Sequence, residues 1–244
     1  MKATDLLTPW YRRFPFGNAS GNGADEPGSL SPTPILDHRS SEIMRLVDRA
    51  RHLARSPQPI HVLEAAHSLI AHEVKAVYAM EERTAASRIV ARGSGSCSQR
   101  LAVLECAARA IGVPTRVRAL LIDGTFWHPR FPHLKAALPS GVLLVWPEFD
   151  VDGWRSASEL FGSIGCRGGD PFSNQGSETL FEAAGRCAVD WDGKATGPFD
   201  LSRYVRADHG YFTHRDDAFR LLGQTLCTPS RAVADPVLRR FAAA

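Results

Sequence analysis

One cysteine occupies a position at which its thiol could act as a nucleophile. Cys97 follows the glycine- and serine-rich turn Gly93-Ser94-Gly95-Ser96 and opens a segment whose apolar residues recur at helical spacing. A thiol in the first turn of a helix lies among unpaired backbone N–H groups, at the positive end of the helix dipole. This position favours the thiolate, so the sequence predicts a lowered pKa for Cys97. The alternative interpretation is an ordinary buried residue at a helix start.

The other four cysteines show no sign of a shared site. Cys106, Cys166, Cys187 and Cys227 form no C-x-x-C pair, and together with Cys97 they make an odd number. We interpret most of these cysteines as small buried hydrophobic residues. Because their spacing matches no zinc site, the sequence predicts no metal and no cofactor.

Composition narrows the class of protein. The 244 residues are 44% hydrophobic and 23% charged, which is typical of a soluble globular protein, and the net charge is only +3. Arginines are scattered, and no apolar run approaches the length of a membrane span. Trp10, Tyr11, Arg12 and Arg13 interrupt the only candidate secretory segment. We expect a cytoplasmic protein with reduced thiols that binds neither nucleic acid nor membrane, and the oligomeric state stays open.

Caps, turns and apolar spacing predict the elements that position Cys97. The predicted helices are one that begins after Ser40 or Ser41, then Ile60–Met80, Thr84–Ala91, the Cys97 helix up to Gly112, Glu178–Ala188 and Asp216–Leu226. The predicted strands are Thr115–Ile122, Val142–Val151 and a return strand from Trp154, the last two joined by an Asp-Gly turn into an antiparallel hairpin. Residues 202–207 are ambiguous.

Residues 1–34 are predicted to form a flexible arm, and residues 35–244 a single domain. The segment 18–34 is rich in glycine, serine, asparagine and proline and buries too little apolar surface to order itself. The aromatic cluster that precedes it, residues 10–16, offers a way to dock the arm onto the domain instead. Both interpretations stay open.

The order of these motifs resembles the transglutaminase-like cysteine superfamily over roughly residues 65–154. The matching positions are the turn before Cys97, then Cys97, Arg109, Gly112, Pro114 and Arg116. The resemblance implies an α+β, papain-like core in which N-terminal helices pack on an antiparallel sheet and the nucleophile begins a helix. It also implies a Cys-His-Asp triad for acyl transfer or amide hydrolysis. Residues 162–244 then form a C-terminal extension.

Two positions depart from the family pattern. Leu144 stands in the place of the triad histidine, in a strand that resembles the family's His-x-Trp-x-Glu strand, and Ser158 stands in the place of the aspartate. The catalytic base must then come from elsewhere, and His128 is the first candidate. His133 lies behind it in the loop, and His209 is the second choice.

The predicted site combines these residues. We predict Cys97, His128 and Glu148 as catalytic residues, with Glu148 or Asp150 orienting the histidine. A sheet-rim carboxylate paired with an arginine is the alternative for Glu148. The predicted substrate-binding residues are Trp127, Arg130 and Trp146.

The predicted function is cysteine-dependent acyl transfer, or amide or thioester hydrolysis, on a small molecule or peptide. A thiol that acts without a triad, its pKa lowered by Arg100 or Arg130, would serve transfer or lyase chemistry. The main alternative is a non-catalytic binding or scaffold protein on the same fold. A metal site is a further alternative, with the conceivable ligands His128, His133, His209, His214 and Glu148.

Overall fold

The computed structural model of this chain describes residues 21–133, 135, 138–166, 168–226 and 228–240. The α-helices of these residues are α1 (Ser41–Leu53), α2 (Pro59–Glu73), α3 (Ala86–Arg92), α4 (Cys97–Ala110), α5 (Leu180–Gly185), α6 (Arg215–Leu222) and α7 (Thr228–Leu238). The strands are β1 (Lys75–Ala76), β2 (Ser94–Gly95), β3 (Thr115–Asp123), β4 (Gly141–Asp150), β5 (Trp154–Ser156) and β6 (Val205–Phe212). The chain is therefore an α+β protein.

A four-stranded antiparallel sheet forms one layer, with the strand order β5-β4-β3-β6. In the β3–β4 pair, Arg116 lies opposite Glu148 and Leu120 lies opposite Leu144. The short strands β1 and β2 form a separate parallel pair immediately before α4. This pair fixes the path of the chain into Cys97.

Local interactions explain why α4 begins at Cys97. The Ser96 hydroxyl accepts from the backbone N–H of Gln99 at 3.2 Å, and the Gln99 side chain accepts from the Ser96 N–H at 3.1 Å. These two bonds form a capping box, which satisfies N–H groups that the helix itself leaves unpaired. Gly95 is required in the entry turn because a Cβ there would lie 2.8 Å from Cγ2 of Ile89.

Helix α4 is the centre of the domain. It contacts α1, α2, α3 and α5 as well as β4, and nearly every residue from Gln99 to Arg109 is buried. The buried side chains include Arg100, Glu105 and Arg109. Buried charges are tolerated only when they are paired. The partner of Glu105 is Arg215 of α6, whose Nε donates to it at 2.8 Å, and both side chains are fully buried.

The structure changes several predicted boundaries. The helix predicted over Ile60–Met80 ends at Glu73, because Val74 is extended and the next two residues pair with β2. The ambiguous residues 202–207 lead into β6, which pairs with β3. The helix predicted up to Leu226 ends at Leu222, before Gly223 with a φ of 83°.

Residues 21–34, which the sequence assigns to a flexible arm, lie along the sheet. Asn22 pairs with Tyr211 of β6, and Ser29 pairs with Thr115 of β3. Arg116 donates to the carbonyl oxygens of Ala24 and Glu26 at 2.6 and 2.7 Å. Hydrogen bonds to the sheet thus order this segment, although its composition alone predicts flexibility. Residues 1–20, including the aromatic cluster, lie outside the described residues.

We predict that the Arg215–Glu105 pair is required for stability. Replacing Arg215 by Ala leaves the Glu105 carboxylate buried without its partner, and this should lower the free energy of unfolding by about 3–5 kcal/mol. Urea denaturation measures the change. The matched control is Arg220→Ala on the same helix, where the pair with Asp217 is exposed and the expected change is small. Equal effects of the two variants would contradict the prediction.

Candidate active site

Cys97 lies on the wall of a cavity of about 380 Å³. This volume is at the lower end of the range for small-molecule sites, roughly 300–1,000 Å³. Most of the wall is apolar, and its apolar residues include Val77, Met80, Phe131, Leu143, Leu144 and Leu226. The charged side chains on the wall are those of Glu82 and Arg130. The cavity therefore offers an apolar volume with a thiol and few polar groups.

The thiol of Cys97 does not have the lowered pKa that its position predicts. Burial raises the pKa of Cys97 to about 12, although the guanidinium of Arg100 acts in the opposite direction. The carboxylates of Glu182 and Glu82 raise it further, and the backbone N–H of Phe181, which hydrogen-bonds to the sulfur, lowers it. Desolvation and the two negative charges thus outweigh Arg100 and the Phe181 N–H, and the thiol is protonated at neutral pH.

Glu82 is a site residue that the sequence analysis missed. Its Oε2 atom is buried and has no hydrogen-bond partner among the described residues. Burial raises the pKa of Glu82 to about 7, while a hydrogen bond from Ser98 and the charge of Arg215 act in the opposite direction. In the sequence, Glu82 lies in the run Glu81-Glu82-Arg83, which is typical of a solvated surface, so no local signal identifies it.

A buried polar network holds Glu82 against the start of α4. Arg215 Nη1 donates to the hydroxyl and the carbonyl oxygen of Ser98 at 3.2 and 3.3 Å, and Ser98 hydrogen-bonds to Glu82. The backbone N–H of Glu82 donates to Oε1 of Gln224 at 2.8 Å. Because Arg215 is already paired with Glu105, the network does not give Glu82 an ion-pair partner of its own.

Two of the predicted substrate-binding residues, Trp127 and Arg130, line the cavity. Trp127 packs edge-on against Phe126, with ring centroids 4.7 Å apart. Arg130 Nε donates to Oδ1 of Asn174 at 3.0 Å, and Nη2 donates to the carbonyl oxygen of Glu178. The structure thus brings Cys97, Trp127 and Arg130 to one cavity.

The other three predicted site residues lie elsewhere, as the described cavity wall shows. His128 ends the 3-10 turn Gly124–Trp127 and interacts electrostatically with Asp123. Glu148 forms an ion pair with Arg116 at 2.8 Å. This agrees with the alternative interpretation of Glu148, a carboxylate at the sheet rim paired with an arginine. Trp146 is buried against Trp191, with ring centroids 6.1 Å apart.

The remaining histidine candidates do not reach the cavity wall either, among the residues that the structure describes. His133 is exposed, His209 is buried and His214 lies 3.0 Å from Arg109 Nη1. No group of three or more His, Cys, Asp or Glu side chains within the described ranges is arranged to hold a metal ion. Asp150, the alternative orienting carboxylate, is exposed. Any proton acceptor for Cys97 on this wall is therefore not a histidine.

The two positions that depart from the family pattern differ in location. Leu144 lines the same cavity as Cys97. Ser158 is buried, and its hydroxyl has no hydrogen-bond partner among the described residues. A side chain at position 144 thus lies on the same cavity wall as the thiol, whereas position 158 belongs to the interior.

Comparisons with known proteins give no match: no family model, no curated protein and no solved structure matches the chain. Within the described residues, no helix is both long and apolar enough to cross a membrane. The class of protein that the structure itself defines is an α+β protein with a cysteine at a helix start on the wall of an apolar cavity.

We predict that Glu82 makes stability depend on pH. Its pKa is about 7 in the folded protein against an ordinary value of 4.5, so the folded state binds the proton more tightly. This stabilisation is fully present below pH 4.5 and is lost as the pH rises through 7. The shift corresponds to roughly 3 kcal/mol between these limits.

Urea denaturation between pH 4.5 and 8 measures this dependence. Wild-type protein should lose stability as the pH rises, and Glu82→Gln should remove most of that loss because glutamine does not ionise. Glu81→Gln is the matched control, since Glu81 is paired with Arg231 and its pKa is lowered despite partial burial. A wild-type profile that is unchanged by Glu82→Gln would contradict the assignment.

Proposed function

We propose that this protein is a cysteine-dependent enzyme of acyl transfer, or of amide or thioester hydrolysis, with Cys97 as the nucleophile. The observation that carries the proposal is the position of Cys97, at the start of α4 and on the wall of a cavity large enough for a small molecule. A thiol in the core of a protein needs no such cavity. The substrate would be a small molecule or the side chain or end of a peptide.

A transglutaminase-like core is part of this proposal. Its support is a helix that begins with Cys97 and contacts β4 of an antiparallel sheet, together with Leu144 of β4 on the same cavity. Leu144 is the position at which the family pattern has its histidine. The proposed fold therefore accounts for why this leucine and the thiol share one cavity.

The chemistry would begin with attack of the Cys97 sulfur on an acyl carbon. Backbone N–H groups at the start of α4, and the N–H of Phe181 beside the sulfur, would stabilise the negative charge that develops on the acyl oxygen. Apolar residues on the wall favour an acyl group with an apolar body, because its transfer from water is favourable. The proton of the thiol must leave during the attack, since the thiol is not ionised at neutral pH.

A binding protein for a small apolar ligand is the second candidate. It is favoured by the pKa of about 12 for Cys97 and by leucine in place of the triad histidine. In this case the cavity would bind its ligand without forming a covalent bond. Covalent acylation of Cys97 separates the two candidates.

We predict that Cys97 becomes acylated by an activated ester with an apolar chain. Incubation with p-nitrophenyl octanoate should release p-nitrophenol and add one octanoyl group to the peptide that contains Cys97, as mass spectrometry detects. Cys97→Ala should abolish both signals, and Cys166→Ala, which removes an exposed cysteine, should leave both unchanged. Turnover that survives Cys97→Ala would overturn the proposal, and octanoate binding without acylation would establish the binding protein.

We further predict that Leu144→His increases the reactivity of Cys97. An imidazole on this part of the wall would stabilise the thiolate by its charge, so alkylation by iodoacetamide at pH 7.5 should accelerate by about tenfold or more. Leu143→His is the matched control, because Leu143 lines the same cavity at the neighbouring position, which does not correspond to the family histidine. Similar effects of the two variants would contradict the proposed correspondence of Leu144 with the family histidine.

A further inference from the structure

We propose that the Glu82 carboxylate takes the thiol proton of Cys97 and later delivers it to the leaving group, in place of a histidine. This inference rests on the proposed function, because it assigns the proton transfer that the acyl chemistry requires. The family pattern has no glutamate in this role, and the sequence analysis did not predict one.

The first argument is the location of the carboxyl. Of the described residues that line the cavity, Glu82 is the only carboxylic acid, and none is a histidine. Its Oε2 atom is buried and accepts no hydrogen bond from the described residues. The thiol of Cys97, which can donate a proton, lies on the same cavity wall, and the charge of Glu82 acts on it.

The second argument is that the other acids near the thiol are already engaged. Glu182, which also acts on Cys97, is paired with Arg100 at 2.6 Å and accepts a hydrogen bond from the backbone N–H of Thr179 at 3.0 Å. Glu81 accepts from Gln224 and Arg231 at 2.9 and 3.0 Å. Among the acids that the structure describes, only Glu82 combines a side-chain oxygen that lacks a hydrogen-bond partner with a place on the cavity wall.

The third argument is the charge that surrounds Glu82. Arg215 faces it through Ser98 and favours the carboxylate, whereas burial and the neighbouring Glu81 and Asp235 favour the neutral acid. The balance holds the pKa of Glu82 at about 7, which is the value at which an acid and its base are both available at neutral pH. The pKa of Cys97 is far higher, so the carboxylate accepts the thiol proton only as the sulfur forms its new bond.

The proton and electron balance closes without a further reactant. The sulfur lone pair bonds to the acyl carbon while the S–H proton moves to Glu82, which becomes a neutral acid. The tetrahedral intermediate then expels the amine, alcohol or thiol, which takes that proton, and a thioester on Cys97 remains. Water or a second acceptor attacks the thioester, gives its proton to Glu82 and releases the product. The thiolate of Cys97 finally recovers the proton.

The experiment measures acylation of Cys97 by p-nitrophenyl octanoate in rapid-mixing kinetics, with the acylated peptide identified by mass spectrometry. Glu82→Gln preserves size and polarity but accepts no proton, and it should slow acylation by about 10²–10⁴-fold. Glu182→Gln is the matched control, because it also removes a negative charge that raises the pKa of the thiol. The amide oxygen of glutamine can still accept the hydrogen bond from the Thr179 N–H that begins α5. This variant should leave acylation unchanged or make it faster.

The pH dependence of the acylation rate tests the role of Glu82 further, because a purely structural role would not change the shape of this profile. In the wild type, the acylation rate should rise with pH and level off above 7, as Glu82 ionises. In Glu82→Gln this inflection should disappear, while Glu182→Gln should retain it. Circular dichroism and urea denaturation establish that each variant is folded.

The outcomes separate this inference from the proposed function. If the wild type acylates and folded Glu82→Gln acylates equally fast or faster, Glu82 affects the thiol only by its charge, and the inference fails while the proposed function stands. If the wild type forms no acyl adduct on Cys97 at any pH from 6 to 9, the proposed function fails and the inference with it. A loss of at least 10²-fold in Glu82→Gln alone supports both.

Discussion

The burial of α4 is the constraint on which the rest of the structure depends. A helix that is covered on every side has to satisfy each of its polar side chains inside the protein, and the partners come from distant parts of the chain. Arg215 of α6 pairs with Glu105, and Glu182 of α5 pairs with Arg100. The C-terminal third of the chain is therefore bound to α4 by charge as well as by apolar packing.

The same burial determines the state of the reactive groups. Removal of the Cys97 thiol from water stabilises its neutral form, and removal of the Glu82 carboxyl from water does the same. The Cys97 thiol is thus an acid that does not ionise at neutral pH, whereas the Glu82 carboxyl titrates near neutral pH.

Features that depend on neighbours in sequence could be predicted. The turn before Cys97, the helix start and the antiparallel strands follow from caps and spacing. Trp127 and Arg130, which were predicted as substrate-binding residues, lie on the cavity wall. Features that depend on long-range pairing could not. Glu82 is held by Ser98, Gln224 and Arg215, and nothing in the residues next to Glu82 indicates these partners.

The Glu148–Arg116 pair is a long-range contact that could still have been predicted. The two residues lie directly opposite each other in the β3–β4 register, so a correct strand alignment alone would have shown that this carboxylate is engaged. The predicted catalytic role of His128 depended instead on how a loop folds back. His128 follows the turn Gly124–Trp127 and interacts electrostatically with Asp123, and local spacing does not determine such an interaction.

The cavity wall is assembled from chain segments that the ribosome synthesises at different times. Its lining residues run from Val77 to Ala234 and Leu238 of α7. A ribosome-bound chain that has already formed α4 and the sheet still lacks this side of the wall, and the thiol of Cys97 is then open to water. The cavity wall that surrounds the thiol is complete only after the residues up to Leu238 have left the ribosome.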